Sequence, residues 1–239
     1  MTLNDLDAAA VPYPAASTSE SEPPGFLVQP GGSAAIAYHE SAHALIARYY
    51  GLPVASATIV PGRWHAGRVL APGADPDADP DAQIAAVKAI CDQASSLQPR
   101  PGEDPENYAV WAIHAHSRCV ELTAGHEGER LRDPRAEFLS WETDLALAKL
   151  YAETICAPSA VASYLHFAAT EARAILQEFR PVLDALAVAL EAQGTLDGIT
   201  VDQIIATAVS DVTLREEKAR RARRKQAEKR AAVFLKEAR

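Results

Sequence analysis

Residues 33–51 read Ser-Ala-Ala-Ile-Ala-Tyr-His-Glu-Ser-Ala-His-Ala-Leu-Ile-Ala-Arg-Tyr-Tyr-Gly, and they form the clearest helical pattern of the sequence. Ser33 suits the N-cap position, Gly51 suits the C-cap position, and Pro53 provides a stop beyond it. The spacing therefore predicts a helix from about Ala34 to Tyr50.

This helix contains the motif His39-Glu40-Ser41-Ala42-His43, which has the pattern H-E-x-x-H. Histidines four residues apart project from the same face of a helix, so both imidazoles can reach one zinc ion. The glutamate between them can accept a proton from a water molecule. The pattern predicts zinc-dependent hydrolysis of a peptide bond, whereas the alternative is two ordinary core or surface histidines.

A catalytic zinc site needs a third protein ligand, which is usually distant along the chain. The residues after His43 do not continue as His-x-x-Gly-x-x-His, so the metzincin arrangement is excluded. Spacing alone leaves several acidic and imidazole side chains open as the third ligand. These candidates are His114, His116, His126, Glu129, Asp133, Glu137, Glu142 and Asp144.

The composition favours a mainly α-helical fold. Of the 239 residues, 48% are hydrophobic but only 6% are aromatic, a mix that suits helices packed through small side chains. After the first helix the residues become β-branched around Val54–Val60, and a Pro61-Gly62 turn precedes a second short run at Val69-Leu70. The sequence therefore predicts a small β-ribbon in an otherwise helical domain.

The chain divides into three parts by composition. Residues 1–32 are rich in Pro, Ser, Ala and Glu and are predicted to be a disordered leader. Residues 33–200 are predicted to form the domain, with an exposed acidic loop at 71–81 and a Pro-rich break at 99–105. Residues 201–239 are predicted to form a C-terminal helix with a basic tail.

Charge is distributed unevenly along the chain. The net charge is −9, but Leu214–Arg239 contains 11 Lys and Arg against 4 Glu, which leaves −16 on the rest. The tail is typical of a solvated helix with internal charge pairs, and this interpretation is favoured over a nucleic-acid-binding arm. Nucleic acid is therefore not the expected partner, and the acidic remainder of the chain disfavours it further.

No targeting or membrane segment is expected. The first 32 residues lack a basic stretch followed by an apolar one, and no run approaches the roughly 18 apolar residues of a membrane span. Cys91, Cys119 and Cys156 have neither a disulfide pattern nor Cys-x-x-Cys spacing, and we expect small buried side chains. A cytoplasmic location is the simplest expectation.

Four blocks of the sequence together resemble one family. Residues 37–45 resemble the Ala-Tyr-His-Glu-Ala-Gly-His-Ala stretch of the FtsH-type zinc metallopeptidase domain, and residues 54–61 resemble the strand that follows its zinc helix. Residues 124–129 resemble that family's Gly-Gly-Arg-x-Ala-Glu segment, and residues 143–148 resemble its Asn-Asp-Leu-x-x-Ala-Thr helix. The blocks occur in the same order as in the family.

The resemblance implies a zincin-like helical metallopeptidase domain with Zn²⁺ as its cofactor. It makes Asp144 the third ligand beside His39 and His43, makes Glu40 the base, and gives Glu129 a supporting position near the metal. The departures from the family pattern are Ser41-Ala42, His126, Lys149 and the long connection 71–105. We expect these departures to affect substrate preference more than the metal site.

The AAA motor and transmembrane part of that family are not expected here, since no Gly-x-x-x-x-Gly-Lys-Ser/Thr phosphate loop occurs. The expected activity is ATP-independent cleavage of flexible or unfolded polypeptide, or of substrate delivered by a separate unfoldase or adaptor. The alternative is a catalytically silent adaptor of the same fold that binds protein or nucleic acid through its basic C-terminal helix.

Overall fold

A computed structural model describes residues 32–100, 102, 105–135 and 142–237. The predicted leader, apart from Gly32, lies outside these residues, as do Glu137 and part of the Pro-rich break.

The described residues form seven α-helices, which confirms the prediction of a mainly helical chain. In chain order they are α1 (Gly32–Tyr49), α2 (Pro80–Ser95), α3 (Glu106–Arg132), α4 (Glu142–Glu153), α5 (Val161–Glu178), α6 (Arg180–Gln193) and α7 (Gly198–Glu237). A 3-10 turn, Pro158–Ala160, leads into α5. Among the described residues, no helix combines the length and the apolar character needed to cross a membrane.

Three short strands form one antiparallel sheet. The predicted ribbon corresponds to β1 (Ser56–Thr58) and β2 (Arg68–Leu70), and a further strand, β3 (Thr195–Asp197), completes the sheet in the order β2-β1-β3. Ala57 lies opposite Val69 on one side and opposite Leu196 on the other. The third strand was not predicted, because only four residues separate α6 from α7.

Helix α1 is central to the core and packs against α3 and α6. Its small side chains allow close approach: Ala37 and Ala42 are fully buried, and a Cβ at Gly128 of α3 would lie only 2.7 Å from the Ala42 Cβ. Trp111, at the N-terminal part of α3, is buried and donates a hydrogen bond of 2.8 Å from Nε1 to Thr154 Oγ1. The small residues on both helices therefore let the backbone of α1 lie close to that of α3.

The acidic loop is shorter than predicted. It ends at Asp79, whose carboxylate accepts a 2.7 Å hydrogen bond from the Ala82 amide and caps α2, so residues 80 and 81 belong to the helix. The Arg68 guanidinium donates to the carbonyls of Pro76 and Ala78, which draws the loop back onto β2. Ala78 is consequently buried rather than exposed.

Candidate metal centre

Two helices bring the predicted ligands together. His39 and His43 lie on α1, and Asp144 lies in the first turn of α4, although it is 105 positions from His39 along the chain. Both histidines are buried, whereas a quarter of the Asp144 side chain is exposed. The cluster therefore lies at the edge of the core, with Asp144 on its more exposed side.

The three ligand atoms form a small triangle. The Nε2 atoms of His39 and His43 are 3.0 Å apart, and Oδ2 of Asp144 lies 3.3 Å from the first and 3.5 Å from the second. Atoms that bind one tetrahedral zinc ion at about 2.0–2.1 Å are separated from each other by about 3.3–3.4 Å. The spacing of the donor atoms therefore suits a single ion of this kind.

Hydrogen bonds on the far side of each ring fix the tautomers. Nδ1 of His43 lies 2.7 Å from the main-chain carbonyl oxygen of Glu121, and Nδ1 of His39 lies 2.5 Å from Oε1 of Glu129. A carbonyl only accepts, so Nδ1 of His43 carries the hydrogen, and the Glu129 carboxylate places the hydrogen of His39 in the same way. When both imidazoles are neutral, their Nε2 lone pairs face each other and a carboxylate oxygen, and a proton or a metal ion among these atoms relieves the repulsion.

Gly125 of α3 lies directly behind the two ligand nitrogens. A Cβ at this position would lie 2.5 Å from Cε1 of His39 and 2.5 Å from Nε2 of His43. Only glycine leaves room for the imidazoles here. Glu121, Gly125 and Glu129 are spaced by four residues and therefore share the face of α3 that meets α1.

Without a metal ion, the carboxylates of the cluster stabilise protonated imidazoles, and the imidazoles stabilise the ionised carboxylate of Asp144. Burial lowers the pKa of His39, but the Asp144 and Glu129 carboxylates outweigh burial and raise it to about 9. The pKa of His43 is also raised well above 6.5, because Asp144 and Glu121 outweigh its burial. Burial raises the pKa of Asp144, yet the two adjacent imidazoles hold it well below its usual range. The carboxylates thus favour positive charge at the centre of the triangle.

Glu40 lies beside the triangle and is nearly inaccessible. Burial raises the pKa of its carboxyl to about 7, an effect that His39 and His43 oppose. Gly67, just before β2, packs against it: a Cβ there would lie 2.7 Å from Oε1 of Glu40. The sheet therefore approaches the motif on the side of the glutamate.

Glu121 is a residue of the site that sequence reasoning missed. Its carboxylate forms a 3.0 Å ion pair with Arg118, and this pair holds the pKa of Glu121 below its usual range despite burial. Its main-chain carbonyl, not its side chain, makes the short bond to His43. The four-residue spacing to Gly125 and Glu129 is the signal that could have revealed it.

The other candidate ligands lie elsewhere or outside the described residues. His114 packs on Trp111 and Tyr151, and His116 lies 2.7 Å from the hydroxyl of Tyr164. Glu137 is outside the described residues. Three further candidates are described, and none of them joins the triangle: His126 lies beside Glu127, Asp133 caps the end of α3, and Glu142 is exposed. Glu129 contacts Nδ1 of His39, the ring nitrogen that does not take part in the triangle.

The cysteines are free thiols, and two of them, Cys91 and Cys119, are buried as expected. Cys156 is only partly buried, because it follows the end of α4.

Comparison with known proteins adds no family assignment. The sequence matches no protein-family model, and no curated protein is significantly similar to it.

Proposed function

We propose that this chain is a zinc-dependent peptidase that hydrolyses peptide bonds in flexible or unfolded polypeptide. The observation that carries the proposal is the convergence of two imidazole lone pairs and one carboxylate oxygen within a triangle of 3.0, 3.3 and 3.5 Å, with a buried glutamate beside it. The H-E-x-x-H motif and the sequence blocks that resemble FtsH-type metallopeptidases support the same assignment.

The donor set favours zinc over magnesium or calcium. Mg²⁺ and Ca²⁺ prefer oxygen ligands, whereas two imidazole nitrogens and one carboxylate form a common catalytic zinc set. Three protein ligands leave a fourth position free for reaction, while a purely structural site is usually closed by four. Asp144 is partly exposed, so we expect substrate to approach the triangle from the side of this residue.

Glu40 is suited to move the proton during hydrolysis. The metal, when bound, polarises the substrate carbonyl and lowers the pKa of water. A general base works best when its pKa lies near the working pH, and burial raises the pKa of Glu40 to about 7 in the metal-free protein. Glu40 can accept the proton of the attacking water and deliver it to the leaving amine.

Glu129 and Glu121 position the two ligands for this role. Each accepts a hydrogen bond from Nδ1 of one histidine, which fixes the ring orientation and keeps Nε2 available. Gly125 allows both rings to lie against α3. The ligand geometry is therefore set by the packing of α1 on α3 before any substrate binds.

Substrate class follows from the resemblance and from the chain's own motifs. FtsH-type peptidases couple a peptidase domain to an AAA motor, whereas no nucleotide-binding phosphate loop occurs in this sequence. We expect cleavage of flexible segments without ATP, and we expect folded proteins to resist cleavage unless a separate unfoldase or adaptor delivers them.

The test compares Glu40→Gln with the native protein on a fluorescein-labelled, carboxymethylated polypeptide that cannot refold. We expect the native protein to cleave it without ATP, and the variant to retain its metal while losing at least about a hundredfold in rate. Glu142→Gln, an exposed glutamate on α4, is the matched control and should cleave normally. Metal-loaded native protein that leaves this substrate intact would contradict the proposal and favour the adaptor alternative.

A further inference from the structure

The C-terminal half of α7 is a basic helix that lies outside the core. Its first turns pack on the domain through Val201, Ile204, Ile205 and Ala208. From Thr213 to Arg230, every described side chain except that of Glu217 is exposed. At 1.5 Å per residue this exposed stretch is about 26 Å long.

Among the described side chains of this exposed stretch, the ion pairs occupy one side of the helix. Glu217 pairs with Arg220 and Arg221, and Glu228 pairs with Arg224. At 100° per residue these five side chains fall within an arc of about 100°. The charge pairs expected from the sequence are therefore present, but they are confined to one face.

A second face carries cations that have no partner among the described residues. They are Arg215, Lys218, Arg223, Lys225 and Arg230. The same helical geometry places all five within an arc of about 160°, along roughly 22 Å of helix. This set is called the cation face below. Ala219, Ala222 and Gln226 lie between the cations on it.

We propose that the cation face binds double-stranded DNA by lying in the major groove. The groove of B-DNA is about 12 Å wide and admits an α-helix, whereas the major groove of duplex RNA is too narrow. A cation arc of about 160° reaches the phosphates on both walls of the groove. Small alanines between the cations let the helix backbone approach the bases, and Gln226 can reach a base edge.

Charge and composition favour DNA over a protein partner. Helices that bind proteins in grooves use apolar or aromatic anchors, whereas the described residues of the cation face are only basic, alanine and glutamine. The acidic remainder of the chain repels DNA, but the exposed stretch extends well beyond a Debye length of about 8–10 Å. The helix can therefore engage phosphates while the domain stays clear of them.

The test measures binding of the full chain to a fluorescent duplex of about 30 base pairs by anisotropy, from about 50 to 200 mM salt. Five phosphate contacts predict a slope of log K against log salt of about −4.5. In the triple variant Arg223→Gln, Lys225→Gln, Arg230→Gln, we expect a slope of about −2 and at least a tenfold weaker affinity at about 100 mM salt.

The matched control removes the same charge from the paired side, through Arg220→Gln, Arg221→Gln and Arg224→Gln. We expect this control to keep the native slope within about one, because its cations already neutralise Glu217 and Glu228. Equal losses in both triple variants would show that bulk charge, not the cation face, binds DNA, and would overturn the proposal.

Three other results would also overturn it. The first is a native salt slope shallower than about −2, and the second is equal or tighter binding of a single strand or of an RNA duplex. The third is self-association, seen by light scattering, that the cation-face variant abolishes while DNA binding stays unchanged. This third result would show that the cation face binds the acidic domain of a second copy of the chain. All of these readouts are independent of peptidase activity, so the proposal can fail or succeed separately from the proposed function.

Discussion

Gly125 lies so close to the imidazole of His39 that a Cβ would come within 2.5 Å of its Cε1 atom. The first prediction follows from this contact. Gly125→Ala should lower zinc affinity at least tenfold, because the new methyl group displaces the rings of His39 and His43. A chelator-competition titration measures the affinity.

The matched control for this change is Ile113→Ala, an exposed position on the same helix. It should leave zinc affinity within about twofold of the native value and stability within about 0.5 kcal/mol. Full zinc affinity in Gly125→Ala would contradict the close packing of α3 against the ligands.

Glu129 and Glu121 should differ in their effect on zinc affinity. Glu129 contacts His39 through its carboxylate, so Glu129→Gln should weaken zinc binding by about 10–100-fold. Glu121 makes its short 2.7 Å contact with Nδ1 of His43 through the main-chain carbonyl, which a substitution retains, and its carboxylate lies farther from that nitrogen, at 3.5 Å. Glu121→Gln should therefore cost clearly less zinc affinity than Glu129→Gln. A reversed order in the same titration would show that the side chain of Glu121, not its backbone, positions His43.

Zinc affinity should increase with pH. The pKa of His39 is raised to about 9 in the metal-free protein, so near pH 7 a proton occupies the ligand and must leave when zinc binds. Each released proton makes the affinity rise about tenfold per pH unit, and the rise should level off above about pH 9. Titrations across this range, with calorimetry in two buffers to count the protons, test the sign. An affinity that stays flat or falls as the pH rises would be incompatible with imidazolium in the metal-free site.

Thr154 should contribute to stability through Trp111. Thr154→Val removes the acceptor of the buried indole N–H and leaves that donor unpaired, which should lower the free energy of unfolding by about 1–3 kcal/mol. Thr170→Val is the control, because the Thr170 hydroxyl is exposed and bonds only the His166 carbonyl of its own helix. We expect a change within about 0.5 kcal/mol for the control in urea denaturation. Equal stability of the two variants would rule out this role for the Trp111 bond.

Part of the fold could be predicted from local sequence patterns. The predicted helix 34–50 matches α1 within two residues at its start. The strand β3 escaped prediction because it has three residues and pairs with β1, from which it is separated by more than 130 positions. No local pattern encodes such a long-range pairing.

The residues of the candidate site also divide into those that a local sequence pattern reveals and those that only the fold brings in. His39, Glu40 and His43 are recognisable because one helix places them together, whereas Asp144 was selected only by resemblance. Glu121 was missed because its main-chain carbonyl acts, and a carbonyl has no residue signature. The Asp79 cap shortened the acidic loop, since the side chain that looks solvated in sequence instead bonds the first turn of α2.

The most direct test of the account is the metal content of purified protein by mass spectrometry, after loading with zinc and exhaustive dialysis. The native protein and Asp133→Ala, an exposed aspartate at the end of α3, should each retain about one zinc per chain, and Asp144→Ala should retain little with its helicity unchanged. Equal zinc in Asp144→Ala and the native protein, or none in either, would contradict the three-ligand centre on which the proposed peptidase depends.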